Sequence, residues 1–167
     1  MTTAPDFELK NTSGGPLRLS DYQKGGPVVL TFFAPDCPTS ALALPFVERL
    51  YRRHRTGRAR FLGVAQTGKA EAAAFAKTFA VMMPFVLEEA PFATAEAYGI
   101  AQIPAVLLLD GARQIQLRHE GFSKKAYQDL ADRLASLDGK APEALFSLTA
   151  PIPGTKPGSA SRNRRIP

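Results

Sequence analysis

Short runs of apolar residues, separated by turn-forming residues, divide the chain into predicted strands and helices. Residues 28–33 are apolar on both faces and rich in β-branched and aromatic side chains, which is typical of a buried central strand. Three further runs have the same character: residues 61–65, 84–87 and 105–109. Turn residues between short apolar segments predict two hairpins, one joining residues 7–10 to 17–19 and one formed by Asp110-Gly111 and leading into 114–119.

The segments between these strands have helical periodicity. The longest predicted helix runs from Pro38 to about Arg55, with Leu42, Phe46 and Leu50 on one face and Pro45 predicting a kink. A second helix is expected to end near residue 79, a short one lies near 92–98, and the last reaches Gly139. Three polar positions are expected to cap helices: Ser20-Asp21, Thr67 and Ser123.

The order of these elements predicts an α/β fold. Strands alternate with helices and are followed by an antiparallel pair and a helix, which gives a mixed β-sheet with helices on both faces and an N-terminal β-hairpin. Residues 1–139 are expected to form this domain. Residues 140–167 form a tail rich in Pro, Gly and Ser, which we expect to be mobile unless it docks on the domain.

The charge lies largely in that tail. The chain has 21 Lys and Arg against 15 Asp and Glu, a net charge of +6, of which +4 lies in residues 140–167. A second basic cluster, at residues 49–60, surrounds the end of the longest predicted helix, where cations are stabilised by the helix dipole. No nucleic-acid-binding motif accompanies either cluster, so we expect no nucleic-acid partner.

One cysteine limits the chemistry that the chain can carry out. It cannot form an internal disulfide, a four-cysteine zinc site or a dithiol redox pair. No apolar stretch approaches the roughly 20 residues that span a bilayer, and residues 1–6 do not resemble a secretory signal. These features predict a soluble, cytoplasmic protein without a membrane partner, although an exported form trimmed of a leader would look the same.

Cys37 lies where a predicted buried strand passes into a helix. Free N–H groups and the partial positive charge of a helix N-terminus stabilise a thiolate, whereas the neighbouring Asp36 opposes one. Ser40, one turn further on, could direct its hydroxyl at the sulfur. The carboxyl end of a central strand is also where α/β sheets bind ligands. A reactive thiol and an inert buried cysteine are the two interpretations.

The segment around Cys37 resembles the active-site strand-turn-helix of the thioredoxin-like superfamily, and is most similar to its redoxin or TlpA-like disulfide reductase branch, which is related to AhpC/TSA. The motif reads Phe32-Phe33-Ala34-Pro35-Asp36-Cys37-Pro38-Thr39-Ser40. Residues 4–7 and 19–22 resemble the N-terminal hairpin that this branch shares with peroxiredoxins. Pro45 matches the kink proline of the active-site helix, and residues 98–111 match the segment that carries a cis-proline.

The resemblance implies a thioredoxin-like fold and a thiol-disulfide oxidoreductase. Cys37 would be the nucleophile, and Ser40 would occupy the position of the resolving cysteine. The backbone of Ile103, next to a cis Pro104, would face Cys37 and bind an extended substrate. Pro38 and Asp36 would complete the substrate site. The implied partners are a disulfide-bearing protein or a small-thiol substrate and an external thiol reductant, with no cofactor and no metal.

Departures from the family pattern leave the mechanism open. With Ser40 in place of a second cysteine, a mixed disulfide on Cys37 would persist until an outside thiol arrives. Ser40 is either natural, giving a monothiol protein, or a replacement of a cysteine. The tail segment 156–159 also resembles redoxin tails that carry a cysteine, which makes Ser159 a second such position.

Two alternative functions remain beside the reductase. One is a one-cysteine peroxidase, which is disfavoured because Ala34 replaces the Thr or Ser found three residues before a peroxiredoxin cysteine, and because Ile103-Pro104 stands where those enzymes place an arginine. The other is a non-enzymatic binding module that keeps the fold and holds partners through Cys37 or through the groove beside Pro104.

Overall fold

A computed structural model describes residues 2–164 of the chain. The strands are β1 (Glu8–Asn11), β2 (Pro16–Arg18), β3 (Val28–Phe33), β4 (Arg60–Ala65), β5 (Phe85–Leu87), β6 (Gln102–Ile103), β7 (Ala105–Leu109), β8 (Ile115–Glu120), β9 (Phe122–Ser123), β10 (Thr155–Lys156) and β11 (Ser159–Ala160). The helices are α1 (Leu19–Gln23), α2 (Pro38–His54), α3 (Lys69–Thr78), α4 (Ala93–Ala97) and α5 (Lys124–Leu137), and a 3₁₀ turn, Arg162–Arg164, follows β11. None of the helices in this part of the chain is long and apolar enough to cross a membrane.

Seven of the strands form one mixed sheet in the order β2-β1-β5-β4-β3-β7-β8. The three inner strands β3, β4 and β5 are parallel. The antiparallel strands β7 and β8 extend the sheet on one side, and the antiparallel β1–β2 hairpin extends it on the other. Every residue of β3 is buried, as its largely apolar, β-branched and aromatic composition predicted. The mixed α/β sheet with an N-terminal hairpin is therefore confirmed.

Alternate side chains of β3 point into two separate cores. Val29 and Phe33 pack in a cluster with residues of α2, α3 and α5, while Leu30 and Phe32 pack on the opposite face with Leu19, Ala95, Tyr98 and others. The carboxyl ends of β3 and β4 meet at one edge of the sheet, because the two strands are parallel and in register. Cys37 and Gln66 follow these strands at that edge.

Two of the predicted helix caps are wrong. Ser20 lies inside α1 and donates its hydroxyl to the carboxylate of Asp6 at 2.7 Å, so the side chain is engaged elsewhere. Helix α3 begins after Gly68 without a side-chain cap, and Thr67 instead donates to Glu71 at 2.8 Å. Ser123 does cap α5, accepting a hydrogen bond from the backbone N–H of Ala126 at 3.2 Å.

Within residues 140–164, the tail docks on the domain rather than projecting from it. Leu145 is buried in the core, and Phe146 packs against that same core cluster. Further along, β10 pairs with β9 and β11 pairs with β6, both antiparallel. Of the two possibilities for the tail, mobile or docked on the domain, the structure therefore shows the docked one. The division of the chain at residue 139 stays a prediction.

The basic cluster at the end of α2 holds the start of this tail. Arg49 donates to the carbonyl oxygen of Leu145 at 2.8 Å, and Arg53 contacts the carboxylate of Glu143. His54 is buried and pairs with Asp138 at 2.7 Å. These arginines therefore have a structural role in positioning the tail.

Candidate active site

Cys37 is the N-cap residue of α2, immediately after the loop that leaves β3. Its backbone is extended, and its sulfur accepts a hydrogen bond from the backbone N–H of Ser40 at 3.3 Å. Pro38 occupies the first turn of the helix, where a residue without an N–H leaves no donor unsatisfied. The sulfur thus takes the place of the side-chain oxygen that usually caps a helix, and it lies at the positive end of the helix dipole.

Ser40 is fully buried in the first turn of α2, beside the sulfur. Its hydroxyl oxygen accepts a hydrogen bond from the backbone N–H of Ala34 at 3.4 Å, which ties the turn to the end of β3. Hydrogen bonds from both the hydroxyl and the N–H of Ser40 lower the pKa of Cys37. The residue is therefore close to the sulfur, as the sequence suggested. Its role in place of a resolving cysteine stays a prediction.

Ile103 and Pro104 lie across from Cys37, both buried. The thiol of Cys37 donates to the carbonyl oxygen of Ile103 at 3.4 Å. The peptide bond between Ile103 and Pro104 is cis, as the resemblance implied. The structure thus brings Ile103 to the thiol, and it places the hydrogen-bonding edge of β6 beside Cys37.

The tail occupies that edge. Ser159 is opposite Ile103 and Ala160 is opposite Gln102 in the antiparallel pair of β11 with β6. The hydroxyl of Ser159 donates to the sulfur of Cys37 at 3.0 Å. Cys37 is consequently only 1% exposed. The sequence pointed to Ser159 as a second position of interest, and the structure places it in contact with the thiol.

The pKa of Cys37 reflects a balance between burial and hydrogen bonding. Burial raises this pKa, because it disfavours the charged thiolate. Hydrogen bonds from Ser159 and Ser40 act in the opposite direction and outweigh burial, so the pKa lies below its ordinary value of 9.0. A stabilised thiolate is the form that attacks disulfides and peroxides.

Asp36 is half-exposed and pairs with the tail. Its carboxylate forms an ion pair with the guanidinium of Arg162 at 3.2 Å, and the Asp36 side chain is 53% exposed. The nearby cation and the solvent both reduce the repulsion that we expected between this carboxylate and a thiolate at Cys37. A direct part for Asp36 or Pro38 in substrate binding stays a prediction.

Three polar residues that were not predicted as site residues complete the contacts with the tail. Thr39 donates its hydroxyl to the carbonyl oxygen of Pro157 at 2.7 Å, and the side-chain oxygen of Gln102 accepts from the N–H of Gly158 at 3.2 Å. Gln66 is fully buried, and its amide donates to the hydroxyl of Ser161 at 2.7 Å, where Ser161 is itself fully buried. Gln66 follows β4 at the same sheet edge as Cys37, a signal that could have identified it from sequence.

Comparison with known proteins identifies a family and relatives that the chain resembles. Residues 1–118 match the AhpC/TSA family. The thiol-disulfide oxidoreductase ResA of Geobacillus thermodenitrificans is 28% identical over 137 residues, which cover 81% of this chain and 76% of that protein.

Solved structures share the fold over most of the chain. A protein from Bacteroides thetaiotaomicron, solved in solution, superposes with a TM-score of 0.75 at 23% identity, covering 83% of this chain and 89% of that one. Peroxidoxin BcpB from Mycobacterium tuberculosis superposes with a TM-score of 0.68 at 26% identity, covering 83% of this chain and 95% of that one. The family match ends within β8, so the tail that covers Cys37 lies outside it.

Proposed function

The chain belongs to the AhpC/TSA family and has a thioredoxin-like fold, and we propose on that premise that it is a thiol-disulfide oxidoreductase with Cys37 as its nucleophile. The observation that carries the proposal is the environment of the Cys37 sulfur. This sulfur caps α2, accepts hydrogen bonds from Ser40 and Ser159, and faces the edge of β6. The similarity to ResA supports the same reaction class.

The reaction begins with the thiolate of Cys37 and a substrate disulfide. The thiolate attacks one sulfur of the disulfide, a bond forms between that sulfur and Cys37, and the substrate S–S bond breaks. Its electron pair leaves on the second sulfur, which takes a proton from solvent. The helix N-terminus and the hydrogen bonds from Ser40 favour this step by stabilising the reactive thiolate.

Completion of the reaction requires a thiol from outside the chain. Ser40 and Ser159 both lie beside Cys37, and neither hydroxyl can attack a mixed disulfide as a thiolate does. An external thiol attacks the sulfur of the bound substrate, releases the Cys37 thiolate and forms a new disulfide with the substrate. We propose a small thiol or a reduced protein thiol as this reductant.

The test is adduct formation with oxidised glutathione. The full chain should gain one glutathionyl group, seen as a single mass increase that dithiothreitol reverses. The adduct should persist in the absence of added thiol, because the chain has no second cysteine. A Cys37→Ser variant is the control and should gain nothing. Absence of an adduct on the wild-type chain after prolonged incubation would exclude the proposed reaction.

A one-cysteine peroxidase is the second candidate, favoured by the similarity to peroxidoxin BcpB. In that reaction the thiolate takes one peroxide oxygen, the O–O bond breaks, and Cys37 becomes a sulfenic acid while the other oxygen leaves as water or an alcohol. Loss of the Cys37 thiol at one equivalent of hydrogen peroxide, faster than its reaction with oxidised glutathione, would favour the peroxidase. Slower loss would favour the oxidoreductase.

A further inference from the structure

The contacts of the tail describe what the edge of β6 accepts as an extended strand. We call the surface formed by Thr39, Gln66, Gln102, Ile103 and the sulfur of Cys37 the thiol groove. Residues 157–161 of the tail lie in this groove, and β11 forms an antiparallel pair with β6. Ser159 contacts the sulfur through its hydroxyl oxygen, which is the position that the sulfur of a substrate cysteine would take.

The position before Ser159 accepts only glycine. A Cβ built on Gly158 would overlap the carbonyl oxygen of Ile103 and would lie 3.0 Å from its carbonyl carbon and 3.2 Å from the Cβ of Gln102. Two of these three neighbours are backbone atoms, which cannot move aside as the end of a flexible side chain can. Any residue with a side chain would therefore have to shift the strand away from β6 and from Cys37.

The position two residues after Ser159 selects a small hydroxyl side chain. Ser161 is fully buried, and its hydroxyl accepts a hydrogen bond from the amide of Gln66, which is also fully buried. An apolar residue there would leave a buried amide donor without this partner. Ala160, between the two, and Pro157 are both exposed, and Pro157 accepts its hydrogen bond through its carbonyl oxygen. These two positions therefore place little demand on the side chain.

We propose that the tail occupies the thiol groove as an intramolecular substitute for substrate, and that the substrates are extended peptide segments with the pattern Gly-Cys-X-Ser or Gly-Cys-X-Thr. This inference rests on the proposed function, because it assigns the substrate class of the same thiol. Cys37 attacks the sulfur of the substrate cysteine, and the former disulfide partner of that cysteine leaves as a thiolate. The tail leaves the groove when a substrate enters.

The test uses three peptides on the full-length wild-type chain. Their sequences are Lys-Pro-Gly-Cys-Ala-Ser, Lys-Pro-Val-Cys-Ala-Ser and Lys-Pro-Gly-Cys-Ala-Val, each with its cysteine in a mixed disulfide with thionitrobenzoate. Release of thionitrobenzoate gives the rate, and the mass of the adduct shows that the peptide is on Cys37. All three compete with the same tail, so ratios between their rates do not depend on how readily the tail leaves. Reaction of each peptide with free glutathione corrects for intrinsic reactivity.

The first peptide should react fastest. Replacing its glycine with valine should lower the second-order rate constant about tenfold or more, because of the overlap with Ile103. Replacing its serine with valine should lower it about fivefold or more, because the Gln66 amide loses its acceptor. In a Gln66→Ala variant the serine and valine peptides should react at similar rates.

The outcomes separate the two proposals. Equal corrected rates for all three peptides would overturn the substrate pattern and leave the proposed function standing. If no peptide forms an adduct at concentrations above the local concentration of the tail, on the order of millimolar, while oxidised glutathione still does, the substrate class alone would be overturned. Absence of both kinds of adduct would overturn both proposals. Persistence of the serine preference in Gln66→Ala would overturn the part assigned to Gln66.

Discussion

The sulfur of Cys37 receives hydrogen bonds from two serines that are far apart in the sequence. Ser40 lies in the same helical turn as Cys37, and Ser159 lies 122 residues after Cys37 in the chain. Burial alone would raise the pKa of this thiol, and the serine donors reverse that effect. The docked tail therefore has two effects on the thiol, since it restricts access to the sulfur and supplies a donor that stabilises the thiolate.

Replacing Ser159 with alanine should raise the pKa of Cys37, because it removes the 3.0 Å hydrogen bond from the hydroxyl. The ultraviolet absorbance of the thiolate, followed against pH, measures this change. Ser147→Ala is the matched control, since Ser147 is an exposed tail serine whose hydroxyl contacts Thr149. An unchanged pKa in Ser159→Ala would show that the hydroxyl does not stabilise the thiolate.

The lowered pKa also predicts a pH-dependent contribution to stability. Between the folded-state pKa and the ordinary value of 9.0, the unfolded chain binds more protons at Cys37 than the folded chain does. The free energy of unfolding of wild-type chain, relative to a Cys37→Ser variant, should therefore rise with pH through this interval. The contribution is fully present above pH 9.0 and is lost as the pH falls through the folded-state value.

Urea unfolding of both proteins at a series of pH values measures that difference. Subtracting the Cys37→Ser curve removes the contributions of the other titratable groups that the two proteins share. A difference that stays flat or falls with rising pH would contradict the lowered pKa.

At the scale of single residues, the sequence identified the thiol but only part of its surroundings. Cys37 was recognisable because a buried strand, a proline-initiated helix and a lone cysteine occur together in a short segment. The position of Gln66 after β4 could have been noticed, but its hydrogen bond with Ser161 could not be predicted from local sequence, because the two residues are 95 positions apart. The incorrect cap at Ser20 has a similar cause, since its partner Asp6 lies 14 residues earlier, before β1.

Among the elements, β11 covers the thiol although it has only two residues. Its pairing with β6 requires the close approach of Gly158 to Ile103. The N–H of Gly158 and the carbonyl oxygen of Pro157 are bound by Gln102 and Thr39. The strand is thus held by main-chain contacts that depend on the glycine.

Gly158→Ala should increase the rate at which Cys37 reacts with a small aryl disulfide about tenfold or more, because the added Cβ disfavours the docked strand. Gly154→Ala is the matched control, since a Cβ there meets nothing within 4 Å. The rate in that variant should match the wild-type rate. Equal rates in all three proteins would show that the docked strand does not limit access to Cys37.

The long elements were predictable from sequence and the tail strands were not. Strands β3, β4 and β7 are almost wholly buried, so their residues form apolar runs that stand out from their surroundings. The strands β10 and β11 have only two residues each, and neither contains an apolar run. They form by pairing with strands from other parts of the fold, so no local sequence pattern predicts them.

At the scale of the whole molecule, the tail is fixed at several separate places. The arginines of α2 hold residues 141–145, and the side chain of Leu145 enters the core. Further along, β10 pairs with β9 and β11 pairs with β6. Leu145 is the apolar anchor of the tail, and it precedes β11, the strand that covers the thiol. We therefore expect loss of the anchor to reduce the stability of the whole fold.

Leu145→Ala should lower the free energy of unfolding by about 2–4 kcal/mol, because it removes a buried leucine side chain and leaves a cavity. The same substitution at Leu148, a fully exposed leucine three residues later, should change it by less than about 0.5 kcal/mol. Urea or thermal unfolding of the two variants gives the comparison. Similar effects at both positions would contradict the anchoring of the tail through Leu145.

The docking of residues 157–161 in the thiol groove also has a consequence for partner choice. A strand that is tethered to its own binding site behaves as a competitor present at a local concentration on the order of millimolar, whatever the concentration of the protein. A free peptide that binds the groove no more tightly than the tail must reach that concentration to displace it from half of the molecules. We therefore expect dilute peptides to be excluded. The favoured partners are those that bind a second surface of the protein and so present their own cysteine segment at comparable local concentration.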